Sequence, residues 1–233
     1  MKRKALLVIF GLILLFSCFS AMSAAGSGKT QNYIQLQQRV YLPQAKTPAP
    51  LVVLVHNGGS NQEAWTDFPR ELAAQGWVVL TMDWEEFKTT YDIEKSVGLT
   101  LKQYADRIDA TKTAFVSGCH GGSKTLLLFG KLKKLSYKIQ TVVALGISEP
   151  AYADMVQALK NEHPPVLAFY SLKDNLGEKY QVNSKKFAEE VLTQPKQVVS
   201  IDAAPHGDEL TADEGTKGEV RKQIVVWLKD YLK

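Results

Sequence analysis

The residue with most chemistry open to it is Cys119, at the centre of Thr113-Ala114-Phe115-Val116-Ser117-Gly118-Cys119-His120-Gly121-Gly122-Ser123. This stretch leaves an apolar segment, passes through small residues and enters the apolar run Thr125-Leu126-Leu127-Leu128-Phe129. A strand-to-helix turn built as small-x-nucleophile-x-Gly holds its central side chain at the tip of a strained bend. The residues two before and two after must be small, because strand and helix pass close together there. Here they are Ser117 and Gly121. The following helix directs its positive end at the sulfur, which favours the thiolate. Two other readings fit this loop taken alone. A cysteine at a glycine turn is often only a small buried hydrophobe. Gly118 to Thr125 also approaches a phosphate-binding loop, but Ser123 stands where that loop needs glycine. Gly28-Lys29-Thr30 imitates such a loop too, without a preceding strand or the earlier glycine.

A turn of this kind works only inside a frame of strands and helices. Leu51 to Val55 is a continuous apolar run, the pattern of a strand buried on both faces. Residues 63–75 have helical spacing, with Trp65, Phe68, Leu72 and Ala73 on one side and Gly76 as terminator. Further on, the pattern predicts strands at 77–82, 114–117, 141–146, 166–170 and 197–201. It predicts helices at 99–108, 124–135, 151–160, 182–192 and 220–232, and one or two early strands within 33–42. Strands alternating with helices imply an α/β domain, a mostly parallel central sheet with helices on both faces. Sheets of this kind carry their chemistry in loops at the carboxyl ends of the strands. About fifteen residues separate Glu149 from Pro164, room for one helix but for no large lid. An open site shaped by Trp65, Glu85, Glu86, Phe87 and Tyr152 is expected.

The Cys119 turn resembles the nucleophile elbow of the α/β-hydrolase superfamily. Cysteine in place of the usual serine is similar to the dienelactone hydrolase branch, whose elbow reads Gly-x-Cys-x-Gly-Gly. Ser117 stands here where the first glycine is usual. The resemblance spans nearly all of the chain after its leader, through four short motifs, and it implies roles for the other strand-end loops. Val55-His56-Asn57-Gly58-Gly59-Ser60 is similar to the superfamily's His-Gly-x loop, which gives a backbone N–H to the oxyanion. Asn57 occupies the glycine position, so that amide belongs to Asn57 or Gly58, and Gly58 is favoured. The second donor is the N–H of His120, and the His56 side chain is read as structural. Ser171-Leu172-Lys173-Asp174 resembles the superfamily's Gly-x-x-Asp, which makes Asp174 the acid, with Glu149 at the preceding strand end as competitor. Ala204-Pro205-His206-Gly207 follows the last strand, where the superfamily keeps its general base, here His206. The order nucleophile, acid, histidine also matches. These roles imply transfer of an acyl group from a small ester, lactone or thioester to water, through a Cys119–His206–Asp174 triad with no cofactor and no metal. The rival class is a non-catalytic binding protein on a degenerate scaffold of the same fold.

The N-terminus begins MKRKALLVIFGLILLFSCFSAMSAAG. Basic residues, the apolar run Ala5 to Phe16 and small residues around Ser23-Ala24-Ala25 follow one another as in a secretory signal peptide. Residues 1–25 are therefore expected to be a leader and 26–233 the hydrolase-like domain. Leu15-Phe16-Ser17-Cys18 also resembles a lipoprotein signal ending at Cys18, although Phe16 fits it poorly. The expected location is periplasmic or extracellular, with membrane contact only if Cys18 is lipidated. Losing Lys2, Arg3 and Lys4 with the leader lowers the formal charge from +4 to +1. That balance calls for no nucleic-acid or anionic membrane partner and leaves a small-molecule substrate as the expected ligand. Without Cys18, Cys119 is the only cysteine, and a lone thiol in an oxidising compartment must be buried or used.

Overall fold

Strand β2 (Ala49–Val55) shows how the sheet is built. Leu51, Val53 and Val55 enter one hydrophobic cluster and Val52 and Leu54 another, all of them fully buried. A continuous apolar run does this when both faces of its sheet are covered. The computed structural model describes residues 37–84, 90–129, 135–147, 154, 157–159, 164–190 and 194–233. Within them the other strands are β1 (Gln38–Tyr41), β3 (Val78–Met82), β4 (Ile108–Gly118), β5 (Ile139–Leu145), β6 (Val166–Ser171) and β7 (Lys196–Ile201). The sheet order is β1-β3-β2-β4-β5-β6-β7. Only β1 is antiparallel, pairing Val40 with Leu80, and every other pair is parallel.

The helices cover the two faces. Phe68 and Leu72 of α1 (Phe68–Ala74) join Val220, Ile224, Trp227 and Leu228 of the last helix, Lys217–Tyr231, in one cluster. The other face is covered by α2 (Tyr91–Gln103) through Ile93 and Val97, and by α3 (Cys119–Leu127) through Leu126. Phe187 and Ala188 of α4 (Glu178–Glu190) complete it. The last helix is accordingly α5.

The structure corrects several elements. The helix expected at 63–75 is two pieces, a 3-10 turn at Gln62–Trp65 and then α1. Thr66 between them has a φ of 51°, and Pro69 in the first turn of α1 has no N–H with which to continue an earlier helix. The helix expected at 99–108 runs from Tyr91 to Gln103 instead, and Ile108 already opens β4. Its buried stripe of Ile93, Val97 and Thr100 has helical spacing, but one of the three is a threonine, which weakens the apolar signal. Strand β4 is longer than the apolar stretch, because Ile108 and Asp109 pair with Ala49 and Pro50 before a register shift. Helix α3 starts at Cys119 itself and not at Lys124. Trp65, expected near the site, is fully buried in the core. The leader, Glu85, Glu86, Phe87, Glu149 and Tyr152, with most of the helix expected at 151–160, lie outside the described residues.

Candidate active site

Strand β4 ends at Gly118 and helix α3 begins at Cys119, whose φ is +44°. A non-glycine residue in the left-handed region is uncommon and marks a backbone constrained by its surroundings. The constraint is steric. A Cβ on Gly121 would sit 2.1 Å from the His56 carbonyl oxygen at the end of β2. Helix and strand therefore touch through backbone, and the turn between them has to be tight. The Ser117 hydroxyl has a partner inside this turn. Thr125 Oγ1 donates to the Gly121 carbonyl and is 2.9 Å from Ser117 Oγ, all of it buried.

The strand-end loops place three of the residues singled out by the sequence around one point. His206 Nδ1 lies 2.6 Å from Asp174 Oδ2, and both side chains are 1% exposed. The other oxygen of Asp174 accepts the Leu176 N–H at 3.0 Å, so the carboxylate is fixed at both ends. Ser171 donates its hydroxyl to the Pro205 carbonyl, which ties the loop after β6 to the loop carrying His206. Glu209 adds a second tie, accepting from the His206 N–H at 3.1 Å and from Asn175 Nδ2 at 2.8 Å. Tyr180 of α4 meets the His206 ring edge-on at 5.5 Å. The ring Nε2 is buried, with no nitrogen or oxygen partner among the described residues. The neighbour that bears on it is the Cys119 thiol. Burial works against the charged ring, and the hydrogen bonds to Asp174 and then to Cys119 outweigh it, so the His206 pKa is held up at about 9.

The loop after β2 lies across from these groups. Asn57 donates its backbone N–H to Asp208 Oδ2 at 2.7 Å, so that amide already has an acceptor. The Gly58 N–H makes no hydrogen bond among the described residues, and Gly58 lines the same cavity as Cys119 and His206. His120 is the second residue of α3, and amides at that position point out of the helix N-terminus. His56 is where the structural reading puts it. Its Nδ1 is 2.7 Å from the Asn57 carbonyl, it is 2% exposed, and burial lowers its pKa. The cavity, of about 890 Å³, is bordered by Asn57, Gly58, Cys119, Leu176, His206 and Glu209 among others.

Three features of this site were not picked out from the sequence. Asp208 is 1% exposed, and burial pushes its carboxyl up to about 6, with the Asn57 N–H pulling the other way. Asn57 and Tyr180 also contribute side chains. An aspartate two residues after a histidine reads like any solvated turn residue, and nothing local distinguishes it. Glu149, the competitor for the acid, lies outside the described residues.

No protein-family model and no curated protein sequence matches the chain. Solved structures do. The esterase domain of a Rhodothermus marinus protein superposes with a TM-score of 0.65 at 17% identity, covering 85% of this chain and 100% of that one. The monoacylglycerol lipase of Paleococcus ferrophilus gives 0.64 at 16% identity, over 85% and 100%. The dienelactone hydrolase of Anabaena variabilis gives 0.63 at 16% identity, over 87% and 94%. Likeness at such identities is likeness of fold. With seven strands in this order, helices on both faces and the turn at Cys119, the chain has the α/β-hydrolase fold.

Proposed function

We propose that the chain is an exported hydrolase of a small ester, lactone or thioester, with Cys119 as nucleophile, His206 as general base and acid, and Asp174 as the group that orients the histidine. The observation that carries this reading is a left-handed Cys119 at a strand-to-helix turn, sharing one cavity with a histidine whose far nitrogen is 2.6 Å from a buried carboxylate. In the first half-reaction Nε2 of His206 takes the proton of the Cys119 thiol, the sulfur bonds to the acyl carbon and the carbonyl π electrons move to oxygen. The N–H groups of Gly58 and His120 receive that oxyanion. Its collapse breaks the bond to the leaving group, which takes a proton from Nε2 of His206. In the second half-reaction His206 removes a proton from water, and the oxygen bonds to the thioester carbon as its carbonyl π electrons move to oxygen. Collapse of that intermediate breaks the carbon–sulfur bond, with Nε2 of His206 returning its proton to the sulfur as the acid is released. One water is consumed and Cys119 is regenerated. Asp174 holds the Nδ1 proton in place throughout, so that Nε2 is the nitrogen that exchanges protons.

The test is alkylation with iodoacetamide at neutral pH together with initial rates on a panel of short acyl esters. A nucleophilic Cys119 is alkylated quickly, and the rate falls in His206→Ala. Hydrolysis disappears in Cys119→Ala while the urea midpoint stays near that of the parent. An inert thiol and no turnover of any ester would leave a binding protein on this scaffold. The export reading rests on the N-terminal sequence. Ordinary cleavage gives a mature mass starting near Ala24 to Ser27, a lipoprotein gives one starting at Cys18 with added lipid, and a full-length chain refutes both.

A further inference from the structure

Asp208 carries a buried carboxylate that none of the roles above uses. Its Oδ2 accepts the N–H of Asn57 at 2.7 Å across 151 residues of sequence. Asn57 returns the contact, its Oδ1 accepting the Asp208 N–H at 3.1 Å while its Nδ2 donates to the His206 carbonyl at 3.2 Å. The fit is close. A Cβ on Gly118 would lie 2.2 Å from Asn57 Oδ1, and one on Gly207, whose φ is +58°, 2.1 Å from it. The Asn57 side chain thus fills the gap between the cysteine turn and the histidine loop. Two consecutive amides, those of Asn57 and Gly58, leave the end of β2 beside Cys119, and the carboxylate engages the first of them. We propose that Asp208 is a positioning residue that fixes the oxyanion loop through Asn57, so that the Gly58 N–H and not the Asn57 N–H faces the oxygen on which charge develops. The inference rests on the acyl-transfer reading of this site.

A folding argument alone does not account for a carboxylate here. Burial pushes its pKa up to about 6, so at neutral pH its charge is held against desolvation, with Glu209 repelling it and His206 attracting it. An amide oxygen would accept from Asn57 without that penalty. Charged groups held at such a disadvantage cluster at functional sites.

The test compares Asp208→Asn and Asp208→Ala with the parent chain at pH 7.5, reading kcat and KM on p-nitrophenyl acetate, alkylation of Cys119 by iodoacetamide, and the urea midpoint. Alkylation by iodoacetamide displaces iodide at a saturated carbon and forms no oxyanion. A misplaced oxyanion donor therefore lowers kcat about ten- to a hundred-fold, with KM and the alkylation rate each within about twofold of the parent. Asp208→Asn keeps an acceptor for Asn57, so it loses less kcat than Asp208→Ala. Its urea midpoint stands at or above the parent's, which separates the loss from unfolding. The acid limb of the parent's kcat profile near pH 6 is absent in both variants. Turnover within about twofold of the parent in both variants, or alkylation falling in parallel with kcat, overturns the inference. If the parent itself turns over no ester, the hydrolase reading fails first and takes this role with it.

Discussion

Replacing Asp174 by asparagine exchanges one oxygen for an NH2 and leaves the volume nearly unchanged, yet both carboxylate oxygens are engaged. Oδ2 faces His206 Nδ1 at 2.6 Å and Oδ1 accepts from the Leu176 N–H at 3.0 Å. If the amide oxygen stays with Leu176, the NH2 faces Nδ1, and the ring can accept from it only with its own proton on Nε2. That tautomer cannot take a proton from Cys119. If the amide turns over, its NH2 meets the Leu176 N–H, and a buried donor is left unsatisfied at about 1–3 kcal/mol. Charge is lost in either case. Raising His206 from 6.5 to about 9 corresponds to roughly 3 kcal/mol in favour of the charged ring, supplied by Asp174 and Cys119 against burial. Without Asp174 the larger support against burial is gone, and the ring titrates lower. Turnover is therefore expected to fall about ten- to a thousand-fold, with the alkaline limb of the rate profile displaced downwards. Stability follows the same linkage. A raised histidine pKa contributes stability that is fully present below 6.5 and is lost as the pH rises through about 9, so the parent weakens across that window and the variant does so less. Initial rates on a short acyl ester and urea midpoints from about pH 5 to about pH 10 read both effects. An unchanged rate and an unchanged alkaline limb in a folded Asp174→Asn chain would refute the reasoning. A larger loss in Glu149→Gln would move the acid's role to that residue.

Cys119→Ser is expected to lose turnover by orders of magnitude although serine is the commoner nucleophile on this fold, because the His206 pair is set up for a thiol; initial rates on the same ester decide it. Ser171→Ala removes the hydroxyl bond to the Pro205 carbonyl and is expected to lower stability by about 1 kcal/mol, read from the urea midpoint, and to reduce kcat more than KM because the loop it ties carries His206. The cavity is lined by Asp208, Glu209 and Asp213, and by no lysine or arginine among the described residues. An ester with an anionic leaving group is accordingly expected to react about five- to tenfold more slowly than its neutral isostere at low salt, and the gap to close as sodium chloride is raised to about 0.5 M.

The frame was legible in the sequence wherever burial was complete. Each of the five strands from β2 to β6 contains a run that is apolar throughout, and each stands where its run stands, because a strand covered on both faces admits almost nothing else. Strand β7 at the sheet edge is largely exposed, yet the strand expected at 197–201 falls on it. Helices were less legible, because only one stripe of each is buried. In α2 that stripe includes Thr100, and in α1 the break comes from the backbone of Thr66 and from Pro69 rather than from any change in hydropathy. Hydropathy weighs side chains, and the break before α1 is decided by main-chain geometry.

The site was legible as far as each loop could be read alone. Cys119, Asp174 and His206 stand at strand ends in motifs a few residues long. The groups that hold the loops to one another do so across distances no local pattern spans, Ser171 to Pro205 over 34 residues and Asn57 to Asp208 over 151. Three positions depart from the glycines usual in this fold, and each has acquired a partner: Ser117 with Thr125, Ser171 with the Pro205 carbonyl, and Asn57 with Asp208. A hydroxyl satisfied in the core serves folding whether or not the protein is an enzyme, so the two serines do not separate a catalyst from a binding scaffold. Asp208 bears on that choice through the amide it holds. On the acyl-transfer reading its bond to the Asn57 N–H leaves the Gly58 N–H to face the oxyanion, so the kcat of the Asp208 variants, and not their stability, decides between the two.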